Sequence, residues 1–292
     1  MNDTGAARRN PEIWPVFVGF AGLAVAVALV ACVWVGVWLR NHGMLDSGAG
    51  RGEIRQSIEE ATDSRQFALC FDLATAICCA SIALLGAGLS PMPWRQRLMV
   101  RRSRTSWATL FLLVLGTIVL GQTLSASMGL AGVYDIWAVP GSGRALAGLR
   151  GSQLALTLLV TAGAAAIGEE LFFRGFMLTR LTDRWGFAPA VMVTSVLFGI
   201  LHMNMPHAIF ATGFGLYLGW IVHRSGSIRP AILCHATNNV AATMTGAFVA
   251  PVAGASGPPG ALVALVWTAS CAVIFGACLM QSSRWMGASK QT

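Results

Sequence analysis

The chain has 292 residues, of which 55% are hydrophobic and 11% are charged, and its formal net charge is +8. An average soluble domain has about 25% charged residues, so this composition excludes an ordinary soluble protein. The positive charge does not indicate a nucleic-acid partner, because the arginines flank apolar segments and form no basic stripe with interleaved aromatic residues. The sequence therefore predicts an integral membrane protein whose surroundings are membrane lipid.

Apolar segments near the length that crosses a bilayer, about 20 residues, recur along the chain. In chain order they cover residues 13–39, 67–89, 106–130, 152–179, 188–204, 206–223, 230–250 and 260–281. The fifth and sixth segments meet at Pro206, which should end a helix and mark a tight turn. The connector 40–66 is long, and its Ile54, Ile58 and Ala61 recur at helical spacing, which indicates a short interfacial helix. We predict an all-α fold, a polytopic membrane helix bundle of about eight transmembrane helices with a catalytic cavity.

The first apolar segment and the cysteines are the two features of the sequence that could indicate an exported protein. The first apolar segment resembles a lipoprotein signal as far as Cys32, but it is about twice as long as a signal core. We therefore interpret it as an uncleaved first span. All seven cysteines lie in apolar segments and no two show C-x-x-C spacing, so we interpret them as small buried hydrophobic residues.

Basic residues are distributed unequally between the two sides of the predicted bundle. When the N-terminus is placed inside, the connectors on the cytosolic side carry most of the arginines, including the group from Arg95 to Arg104. Positively charged connectors tend to stay in the cytosol. We therefore predict a protein of the cell membrane whose two termini both lie in the cytosol. We expect the cavity to open toward the cytosol.

Three regions follow from where the polar residues fall. Residues 1–130 form three N-terminal spans with one intramembrane acid, Asp72. Residues 131–250 carry nearly all the intramembrane groups capable of chemistry, so we assign them as the catalytic membrane domain. Residues 251–292 form a C-terminal span and tail.

The fourth apolar segment contains two adjacent carboxylates, Glu169 and Glu170, followed by Arg174. The insertion of one ionisable residue into a bilayer costs roughly 2.5–3.5 kcal/mol, so such residues are usually paired or serve a function. Glu170 and Arg174 lie one helical turn apart and can pair. Glu169 then lies about 100° around the helix without a partner, which suits a general base that activates water. The alternative is a packing network between helices.

Two further segments place polar residues one helical turn apart. Phe198 and His202 share one face, and so do His235 and Asn239. An imidazole and an amide on one stripe can donate to a developing oxyanion, although such groups also serve as polar contacts between helices. His207 follows Pro206, and we interpret it as an interfacial residue of the turn.

The ordered set Glu169-Glu170-x-x-x-Arg174, Phe198-x-x-x-His202 and His235-x-x-x-Asn239 resembles the three motifs of the CAAX-protease and bacteriocin-processing family of intramembrane proteases. The resemblance covers about residues 150–245. It implies that Glu169 and His202 activate water and that His235 and Asn239 stabilise the oxyanion. Glu170 and Arg174 match the supporting positions.

The resemblance implies an intramembrane endopeptidase that hydrolyses a peptide bond of a membrane-associated or lipid-anchored substrate, prenylated proteins among them. We favour chemistry without a cofactor, since there is no H-E-x-x-H helix; a zinc site of the metalloprotease kind is the alternative. The expected partners are membrane lipid and a peptide or protein substrate. Two other functions stay open: a non-catalytic immunity or scaffold protein, and a proton-coupled transporter, for which no repeated halves are evident.

Overall fold

The computed structural model describes residues 12–45, 48–103, 105–136, 146–249 and 261–288. Within these ranges the chain is helical. The main helices are α1 Trp14–Asn41, α2 Arg51–Thr62, α3 Arg65–Gly88, α4 Trp107–Leu130, α5 Gly151–Trp185, α6 Phe187–Leu201, α7 Met205–Ser225, α8 Arg229–Met244 and α9 Ala261–Ala288. Single helical turns at Trp94–Arg97 and Val133–Ile136 lie in connectors. Each of the eight predicted apolar segments is a helix, which confirms the all-α membrane bundle.

Six of these helices are long and apolar enough to cross a membrane: α1, α3, α4, α5, α7 and α9. The predicted number was about eight. The difference lies in α6 and α8, which have 15 and 16 residues, fewer than the roughly 20 that a perpendicular span needs. The bundle therefore combines six long helices with two shorter ones.

The early end of α6 has a local cause in the turn that follows it. Met203 adopts a left-handed backbone with φ of 52°. The side chain of Asn204 then caps α7 by accepting a hydrogen bond from the backbone N–H of His207 at 3.1 Å. Pro206 occupies the first turn of α7, where the missing N–H costs nothing. The predicted turn is confirmed, and it begins at His202, four residues before the proline.

The predicted short helix in the connector 40–66 is α2. Its buried face contains Ser57 and Ala61, and Ile58 is half-buried beside them. The indole N–H of Trp34 in α1 donates to the Ala61 carbonyl at 3.3 Å, which holds α2 against the first span. Its position at a membrane interface stays a prediction.

Helix α5 occupies the centre of the bundle and packs against α3, α6, α7 and α8, whereas α1 covers α3 and α9 covers α4. The approach of α3 and α5 is very close: a Cβ added at Gly168 would lie 2.4 Å from the Ala76 carbonyl oxygen. The α6–α7 hairpin is equally tight, since a Cβ at Gly219 would lie 2.4 Å from Cγ2 of Val191. Glycine is thus required at both crossings, and these crossings position α5 between its neighbours.

One end of the bundle is closed by interlocked connectors rich in arginine; we call it the arginine-rich end. Arg101 Nε donates to the Gly226 carbonyl at 2.7 Å, and the Ser227 hydroxyl donates to the Arg101 carbonyl at 2.7 Å. Beside them, Arg97 pairs with Asp183 at 3.0 Å. These contacts join the α3–α4 connector to the α7–α8 connector and to the last turns of α5.

Candidate active site

Helix α5 is irregular around its two glutamates. Residues Leu159–Ala165 and Leu171–Leu178 are π-helical, and they flank the short α-helical stretch Ala166–Glu170. A π-helix bonds each N–H to the carbonyl five residues earlier, and such turns occur frequently at functional sites. Glu169 and Glu170 therefore lie on a normal turn between two widened ones. The apolar pattern of the sequence contains no signal for this arrangement.

The predicted pair of Glu170 and Arg174 is present and fully buried. Arg174 Nη1 donates to Glu170 Oε1 at 2.8 Å, and the residues are 1% and 0% exposed. Arg174 Nη2 also donates to the Gly215 carbonyl at 3.3 Å, and its guanidinium lies 4.5 Å from the centre of the Phe198 ring. The arginine therefore connects α5 to both helices of the α6–α7 hairpin.

His235 of α8 lies between the two glutamates. Its Nδ1 is 2.9 Å from Glu170 Oε1, and its Nε2 is 3.6 Å from Glu169 Oε2. Since an ionised carboxylate only accepts hydrogen bonds, Nδ1 donates to Glu170. The prediction that Glu169 has no partner is wrong, because α8 crosses α5 at this height and brings an imidazole to it.

Glu169 and His235 face each other without a direct hydrogen bond. Glu169 Oε2 and His235 Nε2 are 3.6 Å apart, which is longer than a hydrogen bond. A polar contact of this length can be bridged by a third group such as a water molecule. The carboxylate and the imidazole are therefore both available to a group that lies beside them.

His202 lies at the C-terminal end of α6, with its ring against Phe198. Its Nδ1 is 2.9 Å from the Phe198 carbonyl oxygen, which can only accept, so Nδ1 carries the proton and Nε2 of the neutral ring has a free lone pair. Phe198 also contacts His235, with ring centres 5.8 Å apart. Within the described residues, Glu169 makes its carboxylate–imidazole contact with His235 and none with His202.

Asn239 lies one turn after His235 on the same helix, as predicted. Its Nδ2 donates to the Thr161 carbonyl at 2.8 Å, inside the first π-helical stretch of α5. Asn238 faces another helix: its Oδ1 would lie 3.3 Å from a Cβ added at Gly121 of α4. Asn239 therefore contacts α5 two turns before Glu169, and Asn238 is part of the contact with α4.

Two residues near the site were missed by the interpretation of the sequence. The ring centre of His207 lies 4.4 Å from that of His202, although His207 was interpreted as an interfacial residue. Asp72 of α3 is an electrostatic neighbour of Glu169. Asp72 did stand out as an acid in an apolar segment, but its proximity depends on the close packing of α3 on α5.

The site is shielded on one side and partly open on the other. Every residue of Phe172–Leu178 is buried, and so is Leu181, so large apolar side chains separate Glu169 from the arginine-rich end. By contrast, the Glu169 side chain is 12% exposed, and His202 and Asn239 are half-buried. The opening therefore lies away from the arginine-rich end. The side of the membrane that this opening faces stays a prediction.

The described residues do not fit a zinc centre with three protein ligands. No group of three His, Cys, Asp or Glu side chains among them has the geometry to hold a metal ion. Both nitrogens of His235 face carboxylate oxygens, and Nδ1 of His202 faces a backbone carbonyl. We therefore derive no chemical step through a metal.

Comparison with known proteins concerns the part of the chain that contains this site. The family model for type II CAAX prenyl endopeptidases, Rce1-like, matches residues 151–241. A Bacillus subtilis protein with the name "Putative membrane peptidase YdiL" is 29% identical over 84 residues, which are 29% of this chain and 34% of that relative. No solved structure matches. The match to residues 151–241, which include every candidate site residue from Glu169 to Asn239, confirms the family resemblance given by the three motifs.

Proposed function

We propose that this protein is an intramembrane endopeptidase that hydrolyses a peptide bond in a membrane-associated or lipid-anchored substrate. The observation that carries the proposal is the buried network in which His235 lies between Glu170 and Glu169. An imidazole oriented by one carboxylate and facing a second resembles the arrangements that position catalytic groups. The family match supports the same class of reaction.

In the proposed reaction, Glu169 and His202 activate a water molecule. The lone pair of His202 Nε2 and the carboxylate of Glu169 are the basic groups of the site. Water loses a proton to this pair as its oxygen bonds to the scissile carbonyl carbon. The same proton then passes to the leaving nitrogen, and the C–N bond breaks.

His235 and Asn239 have the complementary role. Glu170 accepts from His235 Nδ1, and the imidazolium form of His235 donates to the oxyanion from Nε2–H. Asn239 supplies a second donor from the next turn of α8. Arg174 fixes Glu170 and therefore fixes the orientation of His235. We also propose that the protein lies in the cell membrane with both termini in the cytosol, because of the distribution of its basic residues.

The function is tested by looking for its substrate. Membranes from cells with the wild-type protein should lack a precursor that accumulates in cells with Glu169→Ala, and quantitative proteomics measures this difference. Glu60→Ala is the matched control, because Glu60 lies exposed on α2 and should leave the precursor cleaved. Identical membrane proteomes for wild type and Glu169→Ala would contradict the protease proposal and favour a binding role or a transporter.

The proposed chemistry also predicts the metal content of the enzyme. We expect purified active protein to contain far less than one equivalent of zinc and to keep its activity in a strong chelator. If His202 and His235 instead held zinc, removal of the metal would abolish activity, and added zinc would restore it. Elemental analysis of active enzyme decides the question, since about one zinc per chain contradicts metal-independent chemistry.

A further inference from the structure

The turn between α6 and α7 lies at the end of the bundle opposite the arginine-rich end. Helix α6 starts at Phe187, next to the arginine-rich end, and its 15 residues extend about 22 Å. Helix α7 runs back from the turn over 21 residues, which extend about 31 Å. The turn His202–Asn204 therefore lies about one membrane thickness from the arginine-rich end, and it contains His202 of the candidate site.

The surface of this turn, which we call the turn surface, carries both polar and apolar side chains. His207 is exposed, and Asn204 and His202 are half-buried. Met203 and Met205 are 69% and 45% exposed, and they form a flexible apolar rim. The buried residues Phe172–Leu178 separate Glu169 from the arginine-rich end. The turn surface is therefore the side from which a substrate can approach His202.

The backbone of the turn aims these side chains in opposite directions. Met203 holds a left-handed backbone with φ of 52°, which is uncommon for a residue with a side chain and persists where its surroundings fix it. Here the fixed elements are the Asn204 cap and Pro206 at the start of α7. His202 consequently turns inward onto Phe198, with ring centres 5.0 Å apart, while Met203 turns outward.

We propose that the turn surface is the mouth through which an extended segment of the substrate reaches Glu169, and that Met205, with Met203, binds an apolar side chain beside the scissile bond. The proposal rests on the proposed function. The segment must be extended because the carbonyls of a substrate helix are hydrogen-bonded within that helix and shielded from attack. Methionine suits such a rim, since its unbranched thioether adapts to different apolar side chains.

The position of the mouth is tested first, without reference to activity. Single cysteines are introduced as Met205→Cys and, at the arginine-rich end, Met92→Cys, which is 39% exposed. Both are made in a background in which the exposed Cys32 and Cys70 are replaced by alanine. A membrane-impermeant thiol reagent should reach the two cysteines from opposite sides of the membrane, Met205→Cys in intact cells. Labelling of both from the same side, or no labelling of Met205→Cys, would overturn the proposal.

Recognition by the rim is tested with the active enzyme and its cleaved substrate. Met205→Ala should raise KM about tenfold, the effect of losing a small apolar contact, and leave kcat nearly unchanged. Attachment of a bulky thiol reagent to Met205→Cys should block cleavage, whereas the same reagent on Met92→Cys should not. An unchanged KM together with full activity after labelling of Met205→Cys would overturn the rim. If the wild type cleaves nothing, the proposed function fails, while the labelling result still decides the position of the mouth.

Discussion

Glu169→Gln is expected to abolish proteolysis while the protein still inserts and folds. The substitution keeps the size of the side chain and removes the carboxylate that faces His235 Nε2 at 3.6 Å. Loss of a general base typically lowers the rate about 100- to 10,000-fold. Cleavage of the accumulated precursor by purified protein in detergent or vesicles measures this loss, with the melting temperature recorded on the same samples.

Glu60→Gln provides the control for this experiment. Glu60 lies on the exposed surface of α2, where it accepts a hydrogen bond from Gln56 at 3.0 Å, and the change should leave the cleavage rate unaltered. A Glu169→Gln protein with wild-type melting and wild-type turnover would refute the assignment of Glu169 as the base. His202 would then be the remaining candidate to activate water.

Glu170→Gln is expected to lower stability as well as activity. It leaves the Arg174 guanidinium, which is 1% exposed, without its counter-charge. Breaking a buried ion pair in this way costs about 3–5 kcal/mol, so the melting temperature in detergent should fall clearly. Turnover should fall too, because His235 loses the carboxylate that accepts from Nδ1.

A second variant separates the two effects. Glu170→Gln combined with Arg174→Met removes both charges, so it should recover most of the lost melting temperature and none of the activity. Glu59→Gln is the matched control, since Arg55 and Glu59 form an exposed pair with the same spacing that should contribute little to stability. Full activity in the double variant would show that the ion pair has no part in positioning His235.

The sequence was sufficient to predict features that depend on local spacing. The helices follow from apolar length, and the contact of Glu170 with Arg174 follows from a separation of four residues along one helix. The contact of Glu169 with His235 is different in kind. It depends on the angle at which α8 crosses α5, which is set by side-chain packing between residues far apart in sequence.

The end of the bundle at which the site opens depends on features of the same kind. Composition shows that 188–204 is apolar, but the length of α6 is decided by the cap at Asn204 and the backbone of Met203. The burial of Phe172–Leu178 is a property of the whole bundle. Neither feature can be read from the charge distribution, which predicts the orientation of the helices and not the accessibility of the site.

Because α5 contains two π-helical stretches, the arrangement of the site depends on the number of residues in this helix. A single-residue deletion within residues 162–165 would turn Thr161 and the residues before it by about 100° relative to Glu169. The chain on the far side of such a deletion would present a different face to α8, and Asn239 would no longer meet the carbonyl of Thr161. A deletion in the last α-helical turns, Thr179–Trp185, leaves that register intact. In related sequences, length changes in α5 should therefore be tolerated after the second widened turn and be absent between Leu159 and Leu178.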